Sequence, residues 1–470
     1  MIESLVIFRR DLRLDDQFAV LHAIEQTQPG NTILPIFIFD PQQISSNNKY
    51  RSAPSILFMI QSLQDLNNQI KEHQSRLRFF HGNTTQQIER LIKEFPSIQK
   101  IFINYDVTPF AKQRDQEILE LCSKHNIELN GNWNELLFPP HTILTTSQTY
   151  YQKFTPYYMN ASKRDIPTPQ KAPNKISFEK STTKISFEIP ENKINDFVPE
   201  LPTNFQLLHP GGRSHILERW TNMKPLKDYE ETRDIPSIKT TEWSAALKFG
   251  CISVREALHH LKKTVKLTNG IARQLYFREF YFQVMNENPQ LLQTNKNQAF
   301  LTKWNDYPYT NKPEFIHAWK SGMTGFPIVD AGIRQMLQTG FMHNRVRMLA
   351  ASLLNKDMDT DWRIGEEFFA QKLYDYDPSQ NNAGWQSTCG MGASALDWNR
   401  VMNPWIQTEK FDPDAIYIKT WIPELKDVPT KDIINWKDEC KKHSKTNYPE
   451  PIVEHKERAQ KYLEKTKKFL

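Results

Sequence analysis

The sequence contains no apolar stretch long enough to span a bilayer, and its cysteines form no recognisable motif. The longest apolar segment, residues 33–39, contains Pro35, whereas a membrane-spanning helix needs about 20 apolar residues. The N-terminus lacks the basic region and apolar run of a secretory signal peptide. The four cysteines show no CxxC spacing, so they indicate no structural zinc site, disulfide framework or iron–sulfur cluster. These absences predict a protein of the reducing cytoplasm that does not bind a membrane.

Glycine-rich phosphate-binding loops are also absent, since neither GxGxxG nor GxxxxGK(S/T) follows any apolar run. Short apolar runs with the composition of strands alternate with amphipathic stretches of helical spacing. The runs lie at 5–8, 33–39, 77–80 and 101–103, and the amphipathic stretches at 18–25, 55–72, 84–94 and 111–124. This alternation predicts an α/β domain with a doubly wound parallel sheet over residues 1–135. A ligand of this domain is expected in the crevice at the carboxyl ends of its strands.

Residues 136–204 are predicted to connect two domains. Between 162 and 204 the composition changes to Lys, Pro, Ser and Thr, and the pentapeptide KISFE occurs at 175–179 and again at 184–188. Two copies indicate a local duplication in an extended connection, because a repeat fold needs at least three units. From residue 205 to the C-terminus strand signals disappear, which predicts an all-helical second domain over 205–470.

Charge and tryptophan are distributed unevenly between these parts. Residues 1–200 hold equal numbers of basic and acidic side chains, so the whole net charge of +6 falls in 201–470. Of the 11 tryptophans, only Trp133 precedes Trp220. A basic and aromatic second half indicates either a polyanionic or ring-stacking partner, or a large helical core with a mildly basic surface.

Consecutive hydroxyl residues precede a helical stretch in the second half. The segment 229–236 opens with Tyr229, and Thr240, Thr241 and Ser244 follow it. Hydroxyl groups at this place can cap a helix, or can join its free N–H groups in holding a phosphate.

Two further clusters combine charges of opposite sign. Arg345 and Arg347 are two residues apart, so on a helix they point in different directions, and one can pair internally while the other faces a ligand. The alternative is a solvated basic turn. Asp375 and Asp377 lie in a Pro/Asn/Gly-rich segment. They suit a turn, the D-x-D metal site of a glycosyltransferase, or an acceptor pair for a cofactor balanced by Arg347.

Read together, these segments resemble the DNA photolyase/cryptochrome family over nearly the full chain, and most closely its bacterial class I cyclobutane-dimer members. The matching motifs are FRRDLRLDD at 8–16, YEETRDIP at 229–236, LKFGCIS at 247–253, FREFY at 277–281, TGFPIVDAGIRQ at 324–335, MHNRVRM at 342–348, NNAGWQ at 381–386 and EKFDP at 409–413. The resemblance implies an α/β antenna domain, a long linker and a helical domain that encloses FAD. It implies no metal.

The resemblance also assigns the residues that bind FAD and those that deliver electrons to it. The groups expected at the ribose and phosphates are Tyr229, Thr240, Thr241 and Ser244. Those expected at the flavin ring and ribitol are Asp375, Asp377 and Arg347, with Asn381 at flavin N5. An electron relay is implied through Trp385 and Trp362, with Tyr309 in place of the family's outermost tryptophan and Trp304 nearby as the alternative.

DNA contacts are implied by the same resemblance. They fall on Arg233, Gln274, Phe277, Arg278, Asn344, Arg345, Met348 and Gln407. Gln274 is typical of (6-4) photolyases and animal cryptochromes, whereas Met348 favours the cyclobutane enzymes. The two tryptophans that usually clamp the lesion are replaced by Phe277 and Ser387, and Glu242 replaces an arginine of the phosphate-binding turn.

The implied reaction is the repair of UV-damaged DNA. An electron from photo-excited reduced FAD would split the cyclobutane ring of a flipped-out pyrimidine dimer, and the protein would act as a monomer. The alternatives are a (6-4) photolyase and a cryptochrome-type blue-light receptor. Phe110 and Ala111 replace the residues that bind a folate antenna in some members, so an antenna pigment in the N-terminal domain stays unidentified.

Overall fold

The computed structural model describes residues 1–221, 224–265, 270–292, 304 and 306–470, with the backbone alone at 224 and 225. Contacts between residues group the chain into two units. The first comprises Met1–Glu200, His209–Lys227 and Trp243–Pro289, and the second comprises Leu201–Leu208, Asp228–Glu242 and Gln290–Leu470. The boundaries at 135 and 205, drawn from composition as single cuts in the chain, stay a prediction.

The first unit contains a five-stranded sheet of order β3-β2-β1-β4-β5, in which every neighbouring pair is parallel. The strands are β1 (Ile2–Phe8), β2 (Thr32–Phe39), β3 (Arg78–His81), β4 (Lys100–Asn104) and β5 (Glu128–Asn132). The connecting helices are α1 (Phe18–Gln26), α2 (Pro41–Ile44), α3 (Ala53–Lys71), α4 (Thr84–Glu94) and α5 (Pro109–Lys124). The predicted doubly wound parallel sheet is confirmed.

The burial of the strands explains which of them the sequence reveals. Every residue of β1 is buried, because a central strand of a parallel sheet is covered on both faces and reads as a continuous apolar run. β5 has the sequence ELNGN and lies at the edge, with side chains that are half-buried or exposed. An edge strand without an apolar run gives no periodic signal. The sequence therefore predicts β1 to β4 but not β5.

The rest of the chain is mainly helical, which confirms the second part of the predicted fold class. The first unit adds α6 (Phe154–Ala161), α7 (Arg213–Trp220), α9 (Ser244–Lys248), α10 (Val254–Thr264) and α11 (Gly270–Glu287). The second unit holds α8 (Tyr229–Thr232), α12 (Pro313–Ser321), α13 (Pro327–Thr339), α14 (Asn344–Ser352), a π-helical turn (Leu353–Asp357), α15 (Trp362–Lys372), α16 (Pro378–Thr388), α17 (Pro404–Phe411), α18 (Ile416–Trp421), α19 (Thr430–Ile434), α20 (Trp436–Glu439) and α21 (His455–Phe469). Among the described residues, no helix combines the length and the apolar character needed to cross a membrane.

The first KISFE copy packs against the sheet of the first unit. Ile176 and Phe178 are buried, and the backbone forms a short parallel bridge with β2 through hydrogen bonds at Ile33 of 2.7 and 2.9 Å. Glu179 accepts a hydrogen bond from Thr183 at 2.5 Å. The alternating apolar side chains therefore attach a polar segment to the sheet.

The second copy repeats this arrangement at β3. Ile185 is buried and Phe187 packs on Phe80, with ring centroids 5.2 Å apart. Glu188 forms ion pairs with Arg76 and with Arg78, the second at 3.0 Å. The backbone N–H of Ile189 donates to Phe79 of β3 at 2.8 Å. Because β3 is an edge strand, this segment covers hydrogen-bonding groups that would otherwise be open to another chain.

In the second unit, Asp330 explains one of the long motifs. It lies in the first turn of α13 and is fully buried. Its carboxylate accepts hydrogen bonds from the backbone and hydroxyl of Thr324, from the backbone of Gly325 and from the hydroxyl of Tyr448. Burial raises the pKa of Asp330 to about 6, although each of these hydrogen bonds opposes the shift. The hydrogen bonds of Asp330 thus explain the motif at 324–335 by a role in stabilising the fold.

The ion pair of Glu188 gives a test of the packed linker. The Arg78 side chain is 0% exposed, so Glu188→Gln leaves a buried guanidinium without its ion-pair partner and should lower the free energy of unfolding by about 3–5 kcal/mol. Chemical denaturation measures this change. Glu191→Gln is the matched control, because Glu191 pairs with Lys71 at an exposed site and should cost less than about 1 kcal/mol. Equal effects of the two substitutions would contradict a packed linker.

Candidate functional site

Arg347 brings the two charged clusters of the second unit together. Its Nη2 lies 2.8 and 3.0 Å from the two carboxylate oxygens of Asp375, and its Nη1 donates to the Asn381 side-chain oxygen at 3.3 Å. Its Nε donates to the backbone carbonyl of Met342 at 2.8 Å. One arginine on α14 therefore orients the carboxylate of Asp375, which precedes α16, and the amide of Asn381, which lies on α16. This is the pairing expected if Arg347 balances the charge of a cofactor-binding acceptor pair.

The second carboxylate of the D-x-D pair has a different role. Asp377 is the N-cap of α16 and accepts from the backbone of Ser379 at 2.9 Å, which is the common function of aspartate before a helix. Both oxygens of Asp375 already contact Arg347. Within the described part of the chain, no group of three or more His, Cys, Asp or Glu side chains could hold a metal ion. The arrangement favours the cofactor hypothesis over a divalent metal site.

Three sequence motifs meet at Arg345. Its Nη2 forms an ion pair with Asp234 at 2.8 Å, and its guanidinium lies over the Phe411 ring at 4.8 Å from the centroid. His343 caps the same helix by accepting from the backbone N–H of Arg345 at 3.1 Å. Sequence reasoning missed Asp234, Phe411 and His343, although each lies in one of the quoted motifs. The sequence left open which of Arg345 and Arg347 pairs internally. In the structure both do, Arg345 with Asp234 and Arg347 with Asp375.

The hydroxyl residues before α9 lie in a turn. Tyr229 begins α8 and is half-buried, and burial raises its pKa to about 12. Thr240 and Thr241 are half-buried, and Glu242 adopts the left-handed region with φ +51°. The N-cap position of α9 is Trp243, and Ser244 is the first residue of the helix. Because Trp243 occupies the N-cap position, the capping role that the sequence offered for these hydroxyl groups is not seen at α9.

The two inner aromatic residues border the same helix. Trp362 and Trp385 are buried, and the Trp385 ring packs so closely on α15 that a Cβ added at Gly365 would lie 2.2 Å from it. Gly365 is one helical turn after Trp362 and therefore on the same face of α15. Trp385 also contacts Phe369, with ring centroids 5.0 Å apart. The sequence needs glycine at 365 because any side chain would displace the indole.

Comparison with known proteins decides the family. A family model described as "DNA photolyase" matches residues 4–174, and one described as "FAD binding domain of DNA photolyase" matches residues 271–468. A relative from Synechococcus sp., named deoxyribodipyrimidine photo-lyase, is 32% identical over 97% of this chain and 94% of its own length. This chain belongs to the DNA photolyase family. A relative of the same name from Escherichia coli (strain K12) is 31% identical over 97% of both chains.

Solved structures agree with this assignment. An archaeal photolyase from Sulfolobus tokodaii, determined with two FAD molecules, aligns with a TM-score of 0.85 and 33% identity over 99% of this chain and all of its own. A cryptochrome from Synechocystis sp. PCC6803 aligns with a TM-score of 0.87 and 26% identity over 99% of both chains. The predicted family, fold class, enzyme class and FAD cofactor are confirmed.

The residues around α16 of this photolyase fit a bound polar group. The Ser379 hydroxyl is buried and finds no hydrogen-bond partner within the described residues. A Cβ added at Gly384 would meet nothing within 4 Å. The unpartnered buried hydroxyl of Ser379, on the helix that carries Asn381, is a feature that a bound polar group such as FAD would complete.

The residues expected at DNA lie partly in each unit of the photolyase. In the first unit Gln274 is exposed and Phe277 stacks on Phe154, with ring centroids 3.5 Å apart. Arg278 is buried and bonds instead to the carbonyl of Glu135 at 2.7 Å and to Glu279 at 3.0 Å. The guanidinium of Arg278 is therefore committed to the interior and is not available for the expected DNA contact.

In the second unit the other expected DNA residues are accessible to different degrees. Asn344 is exposed at the start of α14, whereas Met348 packs partly against the hydrophobic core. Arg233 and Gln407 are half-buried. All four residues lie on or next to α8, α14 and α17. The motifs that suggested them therefore belong to one unit.

Charged side chains lie just after the carboxyl ends of β1 and β4 in the first unit. Arg10 pairs with Asp106 at 2.9 Å and donates from Nε to the carbonyl of Lys248 at 3.0 Å. Ala111 is buried on α5, and Arg114 lies over the Phe110 ring at 5.6 Å. An antenna pigment in this domain stays a prediction.

The cap of α14 predicts a pH dependence of stability. Burial lowers the pKa of His343 from 6.5 to about 4, so the neutral ring contributes stability above pH 6.5 that is lost as the pH falls towards 4. His343→Asn keeps an oxygen that can cap the helix but removes this titration. The free energy of unfolding should then fall less steeply between pH 6.5 and pH 4 than in the unsubstituted protein. His215→Asn, at an exposed position, should leave the slope unchanged; identical slopes for all three proteins would refute the assignment.

Proposed function

We propose that this protein uses light to split cyclobutane pyrimidine dimers in UV-damaged DNA. The observation that carries the proposal is the Arg347–Asp375–Asn381 group beside the buried Trp385, within a chain whose full-length relatives are named deoxyribodipyrimidine photo-lyase. Bound FAD supplies light absorption and single-electron chemistry, which amino acid side chains lack. The protein supplies binding, orientation and electrostatics.

Arg347 and its partners would hold the flavin end of the cofactor. The Asn381 side-chain oxygen accepts from Arg347, which fixes the orientation of the amide and places a defined polar group at the proposed flavin N5 position. Asp375 balances the guanidinium charge, so the site does not carry an unpaired cation. The groups proposed to bind the remainder of the cofactor are Tyr229, Thr240, Thr241, Ser244 and Asp377.

The aromatic residues would deliver electrons to the site from the protein. Trp385 and Trp362 are both buried and both border α15, so an oxidised indole there is shielded from solvent nucleophiles. Tyr309 would extend this relay. Excluding water also strengthens the electrostatic effect of each fixed charge around the relay.

DNA binding would rely on Arg233, Asn344, Arg345, Met348 and Gln407 of the second unit, together with Gln274 and Phe277 of the first. Arg345 uses Nε and Nη2 on Asp234, and the fork geometry of a guanidinium leaves further N–H donors for a phosphate. The whole excess of positive charge lies in 201–470, which suits contact with the phosphate backbone. A flipped-out dimer would be the substrate.

Four buried thiols fit the reducing cytoplasm as the compartment.

Repair of two defined lesions tests the proposal. The FAD-loaded, reduced protein is illuminated with blue light in the presence of oligonucleotides that contain either one cyclobutane dimer or one (6-4) photoproduct. We expect the cyclobutane dimer alone to be restored, and no repair in the dark. Repair of the (6-4) product alone would assign the lesion specificity to Gln274 instead of Met348. Repair of neither lesion would favour a light receptor, the role that a structural likeness to a cryptochrome suggests.

Trp385→Phe tests the relay separately from repair. The substitution removes the readily oxidised indole, so light should no longer reduce the flavin in the presence of an external thiol, while the chemically reduced protein should still repair. Flavin absorbance follows the photoreduction. Trp319→Phe is the matched control, because Trp319 is equally buried and its ring centroid lies 6.1 Å from that of Trp385. Normal photoreduction in Trp385→Phe would refute the assigned role.

A further inference from the structure

Two helices of the first unit bring three aromatic rings into one stack. Phe154 and Tyr158 are four residues apart on α6, and Arg273 and Phe277 are four residues apart on α11, so each pair lies on one face of its helix. The Phe277 and Phe154 rings stack with centroids 3.5 Å apart and planes 20° from parallel. The Phe154 and Tyr158 rings stack in turn, with centroids 5.7 Å apart and planes 25° from parallel. We call these three rings the aromatic column.

The two ends of the aromatic column are partly accessible, while its middle is not. Phe154 is 2% exposed, whereas Phe277 and Tyr158 are half-buried. Tyr276 is buried and packs edge-on against Tyr158, with ring centroids 5.4 Å apart. The Tyr158 ring is therefore held in place by neighbours and still reaches solvent. A rigid aromatic ring of this kind offers a stacking surface at a small cost in conformational entropy.

Arg273 lies along the side of the aromatic column. Its guanidinium carbon is 5.4 Å from the centre of the Phe154 ring and 5.6 Å from the centre of the Tyr158 ring. The side chain is exposed, and it forms no ion pair with any residue that the structure describes. Arg278 and Arg345, in contrast, are paired with carboxylates. Contact with the rings orients the Arg273 guanidinium and leaves its N–H donors for an anion.

The surface around the aromatic column is more basic than acidic. α6 contains no acidic residue, and the first acidic residue of α11 is Glu279, which is buried. The exposed charged side chains between 153 and 165 are Lys153, Lys163, Arg164 and Asp165. Accessible rings flanked by cations are typical of sites for single-stranded nucleic acid, because every base has a face that can stack and every linkage carries a phosphate.

We propose that Tyr158 and Arg273 bind an unpaired nucleotide of single-stranded DNA that is not part of the lesion. The base stacks on the accessible part of the Tyr158 ring, and Arg273 contacts the adjoining phosphate. Extrusion of a dimer from a duplex leaves the opposite bases without partners, so unpaired nucleotides are present whenever a lesion is bound. The inference deepens the proposed function and rests on it, because it takes DNA as the substrate.

Binding of lesion-free oligonucleotides in the dark tests this proposal. The FAD-loaded protein is titrated into a labelled oligothymidine strand, the same strand in a duplex, and a strand of equal length that contains only abasic sites, and fluorescence anisotropy gives each affinity. We expect tighter binding to the oligothymidine strand than to the duplex. Tyr158→Ala should weaken binding to the oligothymidine strand about 10-fold and leave binding to the abasic strand unchanged, because only the former offers a base for stacking.

Two further variants separate stacking from a change in packing. Tyr158→Phe keeps the ring and should bind the oligothymidine strand as tightly as the unsubstituted protein. Tyr158→Leu keeps an apolar side chain against Phe154 and should bind as weakly as Tyr158→Ala. Tyr50→Ala, at a tyrosine of the same unit that is 42% exposed, is the matched control and should leave the affinity unchanged.

Arg273→Ala should change the salt dependence of binding instead. One phosphate contact on a single strand contributes about 0.7 to the slope of log affinity against log salt concentration, so the slope should become shallower by about that amount. Arg273→Lys should retain the slope, because it retains the charge. Tyr158→Ala should also retain it, because stacking releases no counterions.

Three results would overturn the proposal. They are equal affinity of the unsubstituted protein for the oligothymidine strand and the duplex, an unchanged affinity in both Tyr158→Ala and Tyr158→Leu, and an unchanged salt slope in Arg273→Ala. Weaker binding of the abasic strand by Tyr158→Leu would also overturn it, because the substitution would then act through the fold and not through a base.

Failure of this proposal can be distinguished from failure of the proposed function, since the titrations contain neither light nor a lesion. Repair of the cyclobutane dimer by the unsubstituted protein, together with unchanged binding by the Tyr158 variants, would refute the nucleotide site alone. Absence of repair, together with single-strand binding that depends on Tyr158 and Arg273, would refute the proposed photochemistry and support the nucleotide site.

Discussion

The ion pair between Arg347 and Asp375 is the interaction on which the candidate site depends. It joins α14 to the segment before α16, and the same guanidinium orients the Asn381 amide. Asp375 is 5% exposed, and the Arg347 guanidinium, whose Nη2 contacts both carboxylate oxygens, compensates for the lost hydration of its charge. The pair therefore does two things at once: it holds two helical segments in register and fixes the polarity next to the proposed flavin ring.

The positions of elements with a strong hydrophobic pattern could be predicted from the sequence, and those of polar elements could not. Four strands read as buried apolar runs, but β5 is a polar edge strand. The polar composition of the linker predicted an extended connection and gave no sign of packing, yet Phe178 and Phe187 attach the two KISFE copies to the sheet. Composition averages over a window, whereas two apolar side chains in every five residues are enough to anchor an extended segment.

Candidate residues were found by motif, but their partners were not. A sequence shows that Arg345 and Asp234 carry opposite charges; it does not show that they meet across 111 residues, because a single chain offers many acidic alternatives. The case of Arg278 differs. It is followed directly by Glu279, and this adjacent charge was a local signal for an internal ion pair that the family resemblance concealed. Motifs identify the residue types that a site needs, whereas burial and internal partners decide whether those side chains can contact a ligand.

The internal pairing of arginines limits the positive charge that the proposed DNA-binding residues can offer. Arg345 and Arg347 are paired with aspartates and Arg278 is buried with Glu135 and Glu279, so these guanidiniums do not account for the excess of +6. A phosphate that approaches Arg345 can use the N–H donors that Asp234 does not occupy, but the charge of Asp234 opposes it, so the gain in binding energy is small. Such a site contributes little to affinity for undamaged duplex. If DNA binds as proposed, discrimination would have to come from contacts that only the lesion offers, and the ring of Phe277, which is stacked on Phe154, is a rigid surface of the first unit that could provide one.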